Sequence, residues 1–221
     1  MADSGRIGEA YRYCEALVRA HDRDRYLASL FAPAERRPFL VALYAFALEI
    51  GRVRSLVQEP ITGIIRLQWW LEAVGGLRGE EAAASPVMIA LTDAAQRTGM
   101  SLAPLAAAVE ARQLELQGEP AIEAAAPIYV MAARLLGAEG DAVVAVAAAA
   151  ARAVTLAATE PAAARQAYAA FRDQLPNVPE GALPAFLDVA LVPLRLKRAD
   201  APQWRRQLVL LRTAWFGFPK A

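Results

Sequence analysis

The sequence predicts an all-α protein built as one domain of 221 residues. Apolar residues recur at three- and four-residue spacing between prolines and glycines, and this is the period of an amphipathic helix. No segment alternates with period two for long enough to be a convincing strand. The chain is 57% apolar, and alanine, a strong helix former, supplies much of that fraction. We expect a single domain over residues 1–221, with its core at about 5–200 and a C-terminal helix and tail over 201–221.

The first half of the chain is punctuated by residues that start and stop helices. Pro33 and Pro60 each end a helical pattern, and Ser85 with Pro86 has the form of an N-cap followed by a first helical residue. The longest pattern carries apolar residues at steps of four and three throughout, which predicts a packing seam. The predicted helices are Ser4–Ala20, Tyr26–Phe31, Ala34–Gln58, Ile61–Val74, 86–98 and 101–117, with a loop at 75–80.

The second half is predicted to be helical in the same way. Pro161 opens one helix, Pro193 is expected to kink another, and the tail at 217–219 is expected to fray. A proline- and glycine-rich stretch, 175–181, reads as a loop. The predicted helices are Ala121–Leu136, Asp141–Ala158, Pro161–Asp173, Ala182–Arg198 and Pro202–Thr213.

Composition excludes several classes of function. The net charge is +1, so a nucleic-acid partner is not indicated. Cys14 is the only cysteine, which excludes an intrachain disulfide and a cysteine-based zinc site, and His21, the only histidine, reads as a solvated turn residue. The N-terminus lacks a signal-like apolar region, and Arg152 interrupts the longest apolar stretch. We therefore expect a cytoplasmic protein with at most peripheral contact at the inner face of the membrane.

The region from His21 to Trp70 resembles the squalene/phytoene synthase family. The matching stretches are Asp24-Arg25-Tyr26-Leu27, Pro33 with Arg36-Arg37, Leu43-Tyr44-Ala45-Phe46, Glu59-Pro60 and Arg66-Leu67-Gln68-Trp69-Trp70. Looser matches follow at Pro127-Ile128-Tyr129, Leu135-Leu136-Gly137 and Ala182-Leu183-Pro184-Ala185-Phe186-Leu187. The resemblance implies a helical bundle of the isoprenoid synthase type around a central cavity, with the long helix 34–58 facing helix 143–158.

That resemblance also implies what the chemistry would need. The family condenses two prenyl diphosphates and uses two aspartate-rich motifs that hold Mg²⁺. Counting from Tyr44-Ala45-Phe46, the first motif falls on Gly51, Arg52 and Ser55, none of which is acidic. In the region expected for the second motif, 143–163, Glu160 is the only acid. We therefore predict no catalytic residues, no metal ligands and no cofactor, with Mg²⁺ relevant only if the protein proves to be an enzyme.

A non-catalytic branch of the family looks closer than the enzymes. The branch assists assembly of respiratory complex I, and its features are matched by Phe46, Glu49, Glu59-Pro60 and the Arg66–Trp70 stretch. The resemblance thus implies a scaffold-like role with respiratory complex subunits as partners. Two alternatives stay open: a non-catalytic binder of an isoprenoid or other lipid, and a prenyl-transferring enzyme with a degenerate site.

We predict that a residual, mostly apolar pocket survives, with arginine at its polar end. Ordinary readings compete with this prediction, because large aromatics usually pack in cores and Glu49 could simply pair with Arg52. A basic cluster near the C-terminus could touch anionic lipid, and it comprises Arg195, Lys197, Arg198, Arg205, Arg206 and Arg212. The candidate pocket residues are Tyr44, Phe46, Glu49, Ile50, Arg52, Gln68, Trp69, Trp70 and Tyr129.

Overall fold

The computed structural model describes residues 2–122 and 124–218, and it is helical wherever it has regular secondary structure. No strand occurs among these residues, which confirms the all-α prediction. The helices are α1 Ala2–His21, α2 Arg23–Ser29, α3 Arg37–Leu56, α4 Pro60–Val74, α5 Gly79–Ala82, α6 Pro86–Thr98, α7 Ala106–Leu116, α8 Ala126–Leu135, α9 Ala142–Leu156, α10 Pro161–Gln174, α11 Val192–Lys197 and α12 Gln203–Phe216. Short 3₁₀ segments lie at Ala103–Leu105 and Leu175–Asn177, and a longer one covers Glu180–Leu191.

The described residues divide into two compact units. The first unit contains residues 2–23, 38–122 and 124–128, and the second contains 24–37 and 129–218. In the first unit α1 packs against α6 and α4 packs against α7. In the second unit α9 packs against α10, and α12 packs against the 3₁₀ segment Glu180–Leu191. The prediction of a single domain over 1–221 therefore remains a prediction, and residues 219–221 of its tail lie outside the described residues.

The first unit is organised by the apolar seam of α3. Leu43, Phe46, Ile50 and Val53 are buried, at the steps of three and four residues that the sequence predicts. The helix starts at Arg37 and not at the predicted Ala34, because the amides of Arg36 and Arg37 close a turn on the carbonyl of Pro33. The predicted N-cap of α6 is present, with the Ser85 hydroxyl accepting from the Met88 amide at 3.4 Å.

The second unit departs most from the predicted helices. The predicted helix Ala182–Arg198 is wrong as a single α-helix, since it divides into the 3₁₀ segment Glu180–Leu191 and α11. Pro193 lacks the N–H that would donate to the carbonyl of Val189, so a continuous α-helix over 182–198 would lose that hydrogen bond. The kink expected at Pro193 is thus a boundary between two kinds of helix.

Three further boundaries differ from prediction. Helix α8 begins at Ala126 and not at Ala121, with Pro127 in its first turn where the missing N–H costs nothing. A four-residue helix, Gly79–Ala82, occupies part of the predicted loop 75–80. Phe218 in the tail packs on Phe171 with ring centroids 5.2 Å apart, so the described part of the tail does not fray. Pro219 lies outside the described residues.

Helix α9, which carries the longest apolar stretch, packs through small side chains. Ala147, Ala150 and Ala151 of α9 are fully buried, and small residues of this kind let α9 and α10 approach closely. In the described part of the chain, no helix combines the length and the apolarity that a membrane crossing requires.

Candidate functional site

Three aromatic residues of the predicted pocket, Phe46, Trp69 and Trp70, contact one another in the first unit. The rings of Phe46 and Trp70 meet edge to face, with centroids 5.5 Å apart, and Trp69 meets Trp70 in the same way at 5.0 Å. Trp70 is buried, whereas Trp69 is half-buried and donates its indole N–H to Glu81 at 3.3 Å. Adjacent helix positions point about 100° apart, so one tryptophan serves the core and the other the surface.

The remaining predicted pocket residues are distributed as follows. Tyr44 and Ile50 are buried, Glu49 and Arg52 are half-buried, and Gln68 is exposed. Gln68 binds Glu72 through its amide N–H at 2.9 Å. Tyr129 belongs to the second unit. A pocket lined by all nine residues stays a prediction.

The side chains at the position predicted for the first aspartate motif do not fit a magnesium site. Gly51 offers no donor atom, and the Ser55 hydroxyl donates to the Arg52 carbonyl at 2.8 Å. The nearby carboxylate of Glu49 lies 4.0 Å from the Arg52 guanidinium, as the predicted ion pair requires. Mg²⁺ prefers several oxygen ligands in octahedral geometry, and an arginine beside the single carboxylate repels the ion.

The second predicted motif region also lacks paired carboxylates. Glu160 is exposed and stands immediately before α10, where Pro161 follows it. Arg152 is exposed on α9. Across the described residues, no group of three or more histidine, cysteine, aspartate or glutamate side chains is arranged to hold a metal ion.

A second candidate site, which the sequence did not predict, lies in the second unit. We call it the buried charge cluster, and its members are Asp24, Arg25, Tyr129, Asp188, Arg195 and Arg206. Asp24 and Asp188 are each 4% exposed, which is unusual for a carboxylate unless cations neutralise it.

The first half of the buried charge cluster centres on Asp188. Its Oδ2 accepts from the Tyr129 hydroxyl at 2.7 Å and from Arg25 Nε at 3.2 Å. The Arg25 guanidinium also lies over the Tyr129 ring, 5.4 Å from its centroid. Burial raises the pKa of Tyr129, and the negative Asp188 raises it further, so the hydroxyl stays protonated and can only donate to the carboxylate.

The second half centres on Asp24. Its Oδ2 accepts from Arg206 at 2.9 Å and from Arg195 at 3.3 Å. The other oxygen, Oδ1, is buried and has no protein partner. Arg206 also donates to the side chain of Gln203. The pairs tie α2 to both α11 and α12.

This arrangement suits a structural cross-link better than acid–base or metal chemistry. Three arginines face two carboxylates, and each carboxylate binds at least one of them. A carboxylate held by arginine is a poor metal ligand, because the cation must first be displaced. The Tyr129 ring stacks on Phe186, 5.7 Å away and inclined by 9°, so its position is fixed by packing as well.

The sequence contains a signal for the buried charge cluster. Two of the stretches that resemble the family contain members of the cluster, Asp24-Arg25 in one and Tyr129 in the other. A third such stretch ends at Leu187, immediately before Asp188. Tyr129 alone was predicted as a site residue. Residues far apart in sequence that share a family resemblance were candidates for one site, but spacing alone could not show that they meet.

The comparisons with known proteins agree on the ancestry of the chain. The matching family model, Squalene/phytoene synthase, covers residues 18–157. Complex I assembly factor 6 of cattle (Bos taurus) is 33% identical over 105 residues, which is 48% of this chain and 32% of that protein. The human (Homo sapiens) protein of the same name is 35% identical over 104 residues, 47% of this chain and 31% of that protein.

Enzymes also match, over a similar length. Phytoene synthase of Mycobacterium tuberculosis is 29% identical over 110 residues, which is 50% of this chain and 35% of that enzyme. The matched stretch thus spans only about a third of each of these relatives.

The fold is also found in a solved enzyme structure. A dehydrosqualene synthase crystal structure superposes with a TM-score of 0.73 at 14% identity, covering 95% of this chain and 97% of that one. This likeness confirms the predicted fold of the isoprenoid synthase type. Since the family model covers well over half of the sequence, the chain belongs to the squalene/phytoene synthase family.

Proposed function

We propose that this protein is a non-catalytic member of its family that acts in the assembly of respiratory complex I. The observation that carries the proposal is the identity to complex I assembly factor 6, 33% and 35% in the cattle and human proteins over nearly half of the chain. The phytoene synthase match is lower, 29% over 110 residues. Because the matches cover about a third of each relative, the role of the whole relative is proposed for this chain and does not follow from the match alone.

The chemistry of the side chains supports a non-catalytic role. Ionisation of a prenyl diphosphate creates negative charge on the leaving group, which metal ions neutralise. Gly51, Arg52 and Ser55 offer no carboxylate for such ions, and the buried carboxylates Asp24 and Asp188 are already bound to arginines. Arginine can bind a diphosphate, but it does not supply the Lewis-acid step.

The test of the assembly role is crosslinking and co-purification from the native host. We expect a tagged copy of this chain to enrich respiratory complex I subunits over an identically tagged phytoene synthase from the same cells. Deleting the gene should lower the amount of fully assembled complex I on native gels, and the wild-type gene should restore it. Normal complex I levels in the deletion strain, together with no enrichment of its subunits, would contradict the proposal.

Prenyl transfer is the second candidate function, because phytoene synthases match the chain and a dehydrosqualene synthase shares its fold. We expect purified protein with Mg²⁺ to convert neither farnesyl nor geranylgeranyl diphosphate above a heat-killed control. Detection of squalene or phytoene as a product would establish the enzyme instead.

A metal-binding measurement tests the same point without depending on substrate. Replacing Arg52→Asp removes the repelling cation and adds one carboxylate near Glu49. We still expect no tight uptake of Mg²⁺ or Mn²⁺ by calorimetry, because Gly51 and Ser55 supply no further charged ligand. Stoichiometric, tight binding by this variant would reveal a surviving metal site and remove the main support for the non-catalytic role.

A further inference from the structure

The C-terminal helix α12 presents a stripe of large apolar side chains to solvent. Trp204, Leu208, Leu211 and Trp215 are 59%, 47%, 50% and 75% exposed. Their spacing of four, three and four residues places them on one face of the helix. The opposite face is the one that packs, since Leu210 and Thr213 are buried. A stripe of four large side chains on one helix differs from singly scattered surface hydrophobics and marks an interaction surface.

The charges of α12 are all of one sign. The helix Gln203–Phe216 contains Arg205, Arg206 and Arg212 and no acidic residue. Arg206 turns inward to Asp24, whereas Arg205 and Arg212 are exposed. At 100° per residue, Arg205 and Arg212 lie along the same side of the stripe. The Arg205 guanidinium also lies over the exposed Trp204 ring, 5.1 Å from its centroid.

The apolar surface continues beyond the helix. Leu30 and Phe31, which follow α2 in the same unit, are 41% and 37% exposed. Between them and α12 runs a groove of about 310 Å³, lined by Leu27, Leu30, Phe31, Gln207, Leu210 and Leu211. Leu211 belongs to both the stripe and the groove, so the two form one continuous face.

We propose that this face of α12 binds the surface of an anionic lipid bilayer. A helix that lies in the membrane interface carries aromatic and leucine side chains on one face and arginine or lysine beside them. Here a tryptophan stands near each end of the stripe, and tryptophan favours the headgroup region. The absence of carboxylates from α12 and the flanking arginines match the negative potential of such a surface. The proposal goes beyond the assembly role and does not depend on it.

The test is flotation of the full chain with lipid vesicles. We expect binding to phosphatidylcholine vesicles that contain phosphatidylglycerol, much weaker binding to pure phosphatidylcholine, and loss of binding as salt is raised. Tryptophan emission should shift to shorter wavelength on binding. The variant Trp204→Phe/Trp215→Phe should lose that shift, because Trp69 and Trp70 belong to the other unit.

Paired variants distinguish binding through the proposed face from non-specific binding to vesicles. Trp204→Ala/Trp215→Ala should weaken binding by at least about tenfold, whereas Leu77→Ala, at a 79% exposed leucine elsewhere, should leave it unchanged. Arg205→Gln/Arg212→Gln should weaken binding by about 30-fold.

The matched charge control is Arg12→Gln/Arg134→Gln, which removes two exposed arginines outside α12 and should have a much smaller effect. No binding to anionic vesicles, or equal binding by the α12 variants and their controls, would overturn the proposal. Self-association that is abolished by Trp204→Ala/Trp215→Ala, with no vesicle binding, would also overturn it and assign the face to a second copy of the chain.

Discussion

Removing the carboxylate of Asp188 should destabilise the protein strongly. In the structure this carboxylate is 4% exposed and binds both the Tyr129 hydroxyl and Arg25. The variant Asp188→Ala removes the acceptor of a fully buried hydroxyl and one carboxylate partner of a largely buried guanidinium. Breaking a buried ion pair from one side costs about 3–5 kcal/mol. We expect about 3 kcal/mol, since Arg25 keeps 15% side-chain exposure and can recover some hydration.

The assay is urea unfolding followed by far-UV circular dichroism. Asp188→Ala should lower the unfolding midpoint without changing the dependence of stability on urea. Tyr129→Phe removes only one hydrogen bond to a charged group and should cost about 1.5–3 kcal/mol. If the two residues act through their contact, Tyr129→Phe should cost much less in the Asp188→Ala background than in the wild-type protein.

The same unit contains a matched control for the Asp188 prediction. Asp200 pairs with Arg198 at 3.5 Å, but its side chain is 86% exposed. Exposed pairs contribute little because water screens them. Asp200→Ala should therefore leave the unfolding midpoint nearly unchanged. If Asp188→Ala were as mild as Asp200→Ala, the buried charge cluster would not hold the second unit together, and the structural role we assign to it would be wrong.

Three other predictions follow from packing, capping and burial. A Cβ on Gly63 would meet a methyl of Leu116 at 2.6 Å and a methyl of Val57 at 3.2 Å, so Gly63→Ala should be more favourable in the Leu116→Ala background than in the wild-type protein, by about 1 kcal/mol in thermal melts. Equal effects in the two backgrounds would refute the overlap with Leu116. Ser85→Ala should cost about 1 kcal/mol through the lost N-cap to Met88, and a neutral result would contradict the cap. Burial raises the pKa of the Cys14 thiol from 9.0 to about 12, so as the pH rises the thiol ionises in the unfolded chain before it does in the folded protein. The free energy of unfolding should therefore fall between about pH 9 and pH 12. The variant Cys14→Ala should show a smaller fall over the same pH range.

The sequence predicted the helices well wherever proline or a cap coincides with apolar periodicity. Pro161 and the Ser85-Pro86 pair mark helix starts as predicted, and Pro60, which was predicted to end a helix, is the first residue of α4. The prediction was wrong for 182–198, because periodicity reports which residues are buried and does not distinguish a 3₁₀ segment from an α-helix. Burial there is almost continuous, from Pro184 to Val192, and only Pro193 hinted that the backbone hydrogen bonding differs.

The candidate sites show a second limit of sequence reasoning. The pairing of Glu49 with Arg52 was predictable, because three positions on one helix bring the side chains together. The contact of Asp24 with Arg206 was not, since 182 residues separate them and no local rule brings them together. Arg195 and Arg206 were assigned to a basic surface cluster, yet both turn toward Asp24.

The arginines of the C-terminal region have two different roles. Arg195 and Arg206 neutralise a buried carboxylate, so replacing them should act on stability. Arg205 and Arg212 are exposed beside the apolar stripe of α12, so replacing them should act on membrane binding and leave stability nearly unchanged. The two roles meet on one helix, because the contact of Arg206 with Asp24 ties the inner face of α12 to α2. The cluster therefore fixes the orientation in which α12 offers its tryptophans to solvent. Weakening the cluster through Asp24→Ala should accordingly reduce vesicle binding as well as stability, whereas Trp204→Ala should reduce vesicle binding alone.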